Sequence, residues 1–214
     1  MFFYKKFKSK AARIFIWFLV YVQFIETFAS YPRVLSRSDS FIWFKQLIAN
    51  TVFVKNYWFY DVFWTIIGTL IISYYFLLVA KNNFLKKVIK YIIICFLIIS
   101  VSLMIIYYKD LRYNFLLPLE ILSLIVILLV VFSYFVELLN SEKILNFYKA
   151  LSFYIAIGVL VFWLVITPLS FYEQYYNQID KSFVALKNYV YLLSIVFMYL
   201  TFTIGFIVSK PEYD

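Results

Sequence analysis

Between Glu120 and Glu137, inside the run FLLPLEILSLIVILLVVFSYFVELL, the chain carries no charge at all. At 1.5 Å of rise per helical residue, the two carboxylates stand roughly 25 Å apart, close to the thickness of a bilayer's hydrocarbon core. A stretch of this kind has one stable solution in lipid, a helix that satisfies its own backbone, and it reads as a membrane span with an acid near each rim. Five more apolar segments are about 17 to 25 residues long. Together the spans fall at about 14–30, 57–80, 88–108, 115–139, 150–172 and 185–209, each long enough to cross as a helix.

The expected fold is therefore all-α, a polytopic six-transmembrane-helix bundle forming a single transmembrane domain over 1–214. Composition agrees: 65% of residues are apolar and 14% charged, far from the usage of a soluble domain. The formal charge of +9 does not point to nucleic acid, because the Lys and Arg residues are scattered among the loops and form no basic face. They report topology instead. With the N-terminus inside, Lys5, Lys6, Lys8, Lys10, Arg13, Lys81, Lys86, Lys87, Lys90, Lys143, Lys149 and Lys210 are cytoplasmic. The outer set is Arg33, Arg37, Lys45, Lys55, Lys109, Arg112, Lys181 and Lys187, four of them in the one long loop where the positive-inside bias is weakest. Both termini are expected in the cytoplasm. Glu26 and the bulky residues around it argue against reading the first span as a cleaved signal peptide.

The long outer loop holds FIWFKQLIANTVFV, too short and too charged to span. Phe41, Phe44, Leu47 and Ile48 fall on one helical face and Lys45 and Gln46 on another, which suits an interfacial helix near 38–54. A loop with aromatic anchors is the alternative.

The chain contains no histidine, which removes the usual neutral-pH acid/base group and the commonest metal ligand. Zinc proteases of the His-Glu-x-x-His type, Ser-His dyads and histidine-held haem are excluded, and no P-loop or paired acidic motif is present. The expectation is a protein that is not an enzyme, with no catalytic residues, no metal site and no cofactor. The lone Cys95 has no partner for a disulfide within the chain.

What remains is polar patterning inside the spans. Asp61, Thr65, Thr69 and Ser73 recur every fourth residue in the second span, a polar stripe that belongs against another helix or a watery cavity. In the sixth span Asn188, Tyr191, Ser194, Met198, Thr201 and Gly205 form a second face, a packing face in which Thr201 and Gly205 allow close backbone approach. Glu26, Asp61 and Glu120 fall at one depth near the outer rim, with Gln23 a turn below Glu26. They form a candidate acidic pocket open to the outside that would attract a cation or an amine, against the plainer reading of solvated or Lys/Arg-paired carboxylates.

The pieces NYWFYDVFW, SYFVELLNSEKI and ALSFYIAIGVLVFWLVITP give the chain a further likeness. It resembles a loose group of small, uncharacterised multi-pass membrane proteins of AT-rich bacteria, over roughly residues 14–208. The resemblance implies a bacterial inner-membrane protein of about six helices and transfers no functional residue. Two functions are expected from this set. One is a non-enzymatic sensor, accessory or partner-anchoring subunit, acting as a homo-oligomer or through a cytoplasmic protein partner. The other is a cation or proton channel or small transporter using the outer acids. Beyond these partners, only the lipid bilayer is implied.

Overall fold

The computed structural model describes residues 6–37, 41–175 and 181–211. Six helices in it are long and apolar enough to cross a membrane. We number the helices α1 (Lys10–Ala29), α2 (Tyr31–Arg37), α3 (Ile42–Ile48), α4 (Tyr57–Val79), α5 (Asn83–Ile106), α6 (Leu117–Leu139), α7 (Leu151–Tyr175) and α8 (Lys181–Val208). No strand occurs among the described residues. The chain is an integral, multi-pass membrane protein with an all-α fold.

Local chemistry sets where these helices begin. Ser9 caps α1, its hydroxyl accepting from the Ala12 N–H at 3.2 Å, so the helix starts among the basic residues and ahead of the expected apolar span. Asn82 caps α5 in the same way through Phe84 N–H at 2.8 Å, so α5 starts at Asn83 and takes Lys86 and Lys87 into its first turns. Their long stems let the ammonium groups reach polar surroundings while the rest of the helix lies in lipid. Pro118 sits in the first turn of α6, where its missing N–H costs nothing. Pro168 lies inside α7, near its far end. Asn140 closes α6 by donating to the Val136 carbonyl at 2.9 Å.

The segment expected to be interfacial contains the short helix α3, which covers Ile42–Ile48, while residues 38–40 of the expected range lie outside the described residues. Trp43 and Leu47 are exposed and Ile48 is buried, so the helix rests one side on the protein and offers apolar rings outward. Its surroundings are pinned by backbone carbonyls. Tyr31 Oη reaches the carbonyls of Phe53 and Lys55 at 2.7 Å each, Trp58 Nε1 donates to Tyr31 Oη, Asn56 Nδ2 donates to Ala29 O, and Arg112 donates to Ala49 O.

The packing order is a ring. α1 packs on α4, α4 on α6, α6 on α7 and α7 on α8. Phe15 of α1 closes it by meeting Phe202 of α8 edge-on at 4.9 Å. α5 lies outside this ring against α4 and α6, buries only Ile89, Phe96 and Ser100, and leaves Cys95 exposed. Exposed Trp17, Phe24, Ile98, Phe132 and Leu193 form the outward face that lipid covers.

Both described ends of the chain lie at one end of the bundle: Lys6 Nζ donates to Phe206 O, and Lys210 N–H donates to Lys149 O. We call this the terminal end and the opposite one the far end. At the terminal end Glu137 does something its place in the sequence does not announce. Its Oε1 accepts from the backbone N–H groups of Lys81 and Asn82 at 2.7 and 2.8 Å, so a carboxylate of α6 holds the start of α5.

The α7–α8 pair depends on Gly205, where an added Cβ would stand 2.7 Å from Tyr154 Cβ. The obstacle is the root of a side chain, which cannot swing aside. Gly205→Ala is expected to lower stability by roughly 1–3 kcal/mol, and Glu137→Ala, which strips two charge-assisted hydrogen bonds, by roughly 1.5–3 kcal/mol. Denaturation of the protein in detergent micelles measures both. A Gly205→Ala protein as stable as the wild type would mean that the two helices do not approach at this point.

Candidate functional site

Four spans leave a cavity of about 300 Å³ at the far end of the bundle. α4 contributes Tyr60, Trp64 and Thr65, α6 contributes Glu120 and Ser123, α7 runs from Phe162 to Ser170 along it, and α8 adds Lys187, Asn188 and Tyr191. Phe115, just before α6, completes the wall.

The floor is aromatic and is built across helices. Trp64 stacks on Trp163 with centroids 5.8 Å apart and planes 14° from parallel, and meets Phe162 edge-on at 5.8 Å. Phe18 of α1 stacks behind Trp64. Trp163 Nε1 donates to Ser123 Oγ at 3.3 Å, and Ser123 in turn donates to the Glu120 carbonyl at 2.8 Å. Three helices therefore share one contact: α4 through Trp64, α7 through Trp163 and α6 through Ser123.

Residues Tyr60–Gly68 of α4 form a π-helix. Its i→i+5 bonds put more residues in each turn than an α-helix holds, so positions four apart, which drift forward around an α-helix, fall back around a π turn. The expected stripe stays on the inner side of α4 for that reason. Asp61, Thr65, Thr69 and Ser73 are all buried. Tyr21 of α1 stabilises the segment by donating to the Phe63 carbonyl at 2.8 Å.

Asp61 is fully buried, and its Oδ2 accepts from the Leu116 N–H at 3.2 Å, just ahead of the first turn of α6. The positive end of that helix favours a carboxylate there. Its Oδ1 is buried with no hydrogen-bond partner, as are Thr69 Oγ1 and Ser73 Oγ. Asp61 and Glu120 lie within electrostatic reach of one another.

The three outer acids thus part company. Glu120 lines the cavity, Asp61 lies behind its wall, and Glu26 is exposed on α1 with the Tyr60 hydroxyl donating to it at 3.1 Å. The Tyr60 ring stands between Glu26 and the cavity, and Gln23 is exposed. On α8, Asn188 and Tyr191 line the cavity, whereas Ser194, Met198 and Gly205 are buried below it and Thr201 is half-buried, its hydroxyl bonded to Phe197 O. Among the described residues no group of His, Cys, Asp and Glu is placed to hold a metal ion.

Sequence reasoning passed over Trp64 and Trp163 and read Lys187 only as a topology signal. A signal for the tryptophans existed in their type, since a buried indole N–H needs a partner and marks a polar site within an apolar helix.

The fold and the cavity define a polytopic membrane protein with a ligand-sized pocket at one end of its bundle. No family model, curated protein or solved structure matches the chain.

Removing the acceptor that holds the Leu116 N–H separates the roles of the acids. Asp61→Ala is expected to cost about 1–3 kcal/mol of stability, whereas Glu26→Ala changes it by less than about 0.5 kcal/mol. Paired thermal melts in the same detergent give the comparison, and equal losses would remove Asp61 from its place as the tie between α4 and α6.

Proposed function

We propose that this protein is a non-enzymatic sensor or accessory subunit of a bacterial inner membrane, with both termini in the cytoplasm. The far-end cavity then opens to the outside, takes a small ligand, and passes its occupancy to a cytoplasmic protein partner or a second copy of the chain. One observation carries this reading: the cavity floor is the shared contact of Trp64, Trp163 and Ser123, so a ligand resting on it bears on α4, α6 and α7 together. At the terminal end the segment Glu142–Lys149, between α6 and α7, exposes Leu145 and Tyr148 where a partner can reach them.

Photo-crosslinking residues at Leu145 and Tyr148 in living cells test the partner. A discrete crosslinked species is expected at one of them, and a protein that runs strictly as a monomer and traps nothing at either would end the reading. Orientation is checked separately in a Cys95→Ala background. A cysteine at Asp110 should react with an impermeant maleimide in intact cells, and one at Lys81 only after lysis.

A second reading, a cation or proton channel or small transporter, is favoured by Asp61 Oδ1, Thr69 Oγ1 and Ser73 Oγ, buried polar atoms without hydrogen-bond partners along one face of α4. Ion flux in proteoliposomes decides it. A pathway through the bundle requires flux that falls when Glu26, Asp61 and Glu120 are replaced by Gln, Asn and Gln. Flux unchanged by those replacements would rule it out.

A further inference from the structure

The start of α5 is charged the wrong way for a helix. Its opening stretch NFLKKVIK carries Lys86, Lys87 and Lys90 and no acid, at the end where unpaired backbone N–H groups are already positive. Among the described residues no hydrogen bond, ion pair or ring contact reaches any of these three ammonium groups. Glu137, the acid that touches this end of α5, has an oxygen taken by the backbone N–H groups of Lys81 and Asn82. Lys87 and Lys90 are exposed and Lys86 is half-buried.

At 3.6 residues per turn the three lysines occupy a sector of about 100° on α5, and Ile94, Leu97 and Val101 continue the same sector deeper into the span. All three of these apolar residues are exposed, and the buried side chains of α5, Ile89, Phe96 and Ser100, fall outside the sector. Lys90 stands roughly 10 Å along the helix from Asn83, within the apolar run. Side chains lean toward a helix's N-terminus, so its ammonium group is carried back to the level of the lipid phosphates. A crown of cations above an apolar stripe on one face has the shape of a lipid, a negative headgroup above acyl chains. A zwitterionic lipid would bring its own cation among the lysines, and a free anion would leave the stripe unused. An anionic phospholipid meets both parts.

We propose that the terminal-end face of α5 binds an anionic phospholipid, its phosphate among Lys86, Lys87 and Lys90 and its acyl chains along Ile94, Leu97 and Val101. The bound lipid supplies the negative charge that the first turns of α5 lack, and it steadies a helix that packs on α4 and α6 from outside the ring. The site is separate from the far-end cavity and does not depend on the sensor reading.

The test places a bimane fluorophore at Ile94→Cys in a Cys95→Ala background, with the full chain in phosphatidylcholine nanodiscs. Nitroxide-labelled phosphatidylglycerol and nitroxide-labelled phosphatidylcholine are added in turn at equal mole fraction, and quenching reports which lipid lies on this face. The phosphatidylglycerol is expected to quench at least about twice as strongly, since each lysine near the surface adds to the attraction for an anionic lipid. Lys86→Gln, Lys87→Gln and Lys90→Gln together should abolish the preference, and the three Lys→Arg replacements should keep it. Lys8→Gln, Lys10→Gln and Lys210→Gln remove as much charge from the same end of the bundle and should leave it unchanged. Each variant must unfold with a wild-type transition; where the Gln triple does not, Lys90→Gln alone carries the test and should lower the ratio. Equal quenching by the two lipids would overturn the proposal, as would a preference that survives loss of the α5 lysines or that disappears with Lys8, Lys10 and Lys210. Excess inorganic phosphate should not displace the labelled lipid. Displacement would assign the lysines to a free anion and overturn the lipid site.

Discussion

In lipid a backbone N–H without a partner has no water to turn to, and the start of every helix exposes several such groups. This protein meets that demand with carboxylates borrowed from neighbouring spans. Asp61 of α4 accepts from Leu116 at the start of α6, and Glu137 near the end of α6 accepts from Lys81 and Asn82 at the start of α5. Each tie joins a carboxyl oxygen to the positive end of a helix, where the macrodipole favours an acceptor. The two contacts fix α6 at both ends of the bundle, and α4, α5 and α7 pack around it.

The position of the cavity follows from that arrangement. Asp61 draws α6 toward α4 at the far end, while the Trp64–Trp163 stack holds α4 against α7 one helical turn deeper. Between these two contacts the helices cannot close completely, because the indole rings are wide and Glu120 comes into the space from α6. The π-helix from Tyr60 to Gly68 is part of the same solution. It keeps Asp61 and Thr65 on the inner side of α4 while Trp64 reaches the floor.

Much of this architecture was legible in the sequence, and the reason is the membrane. An apolar run of span length with at most a few charges forms a helix in lipid, so six spans could be read directly, and the observed ends lie within a few residues of the expected ones. The burial of the Asp61–Ser73 stripe was legible because polar residues at helical spacing avoid lipid. The π-helix was not, since no residue in YDVFWTIIG forbids an ordinary helix and the choice depends on what α4 packs against. Glu137 read only as an acid near the membrane rim, because its partners are backbone N–H groups more than fifty residues away, which leave no trace in side-chain pattern. Trp64 and Trp163 hid among an aromatic content of 24%, where two more rings carry no signal until the fold stacks them.

The link between the two ends of the bundle lies in α7 and α8. α7 carries the floor residues Phe162 and Trp163 in its middle and Ser152, whose hydroxyl is bonded to Tyr134 of α6, near its beginning. Along α8 the cavity residues Asn188 and Tyr191 give way to Met198, Phe202 and Phe206, which are buried. Phe206 meets Phe7 edge-on at the terminal end, and Phe202 meets Phe15. A close-packed interface of this kind does not deform smoothly, so on the sensor reading proposed above a shift at the floor would pass on as a movement of whole helices. Gly205 lets α8 pack directly against Tyr154 of α7, which couples the pair closely. On the sensor reading, its displacement would be felt where the Lys149 carbonyl, just ahead of α7, accepts from the Lys210 N–H just beyond α8.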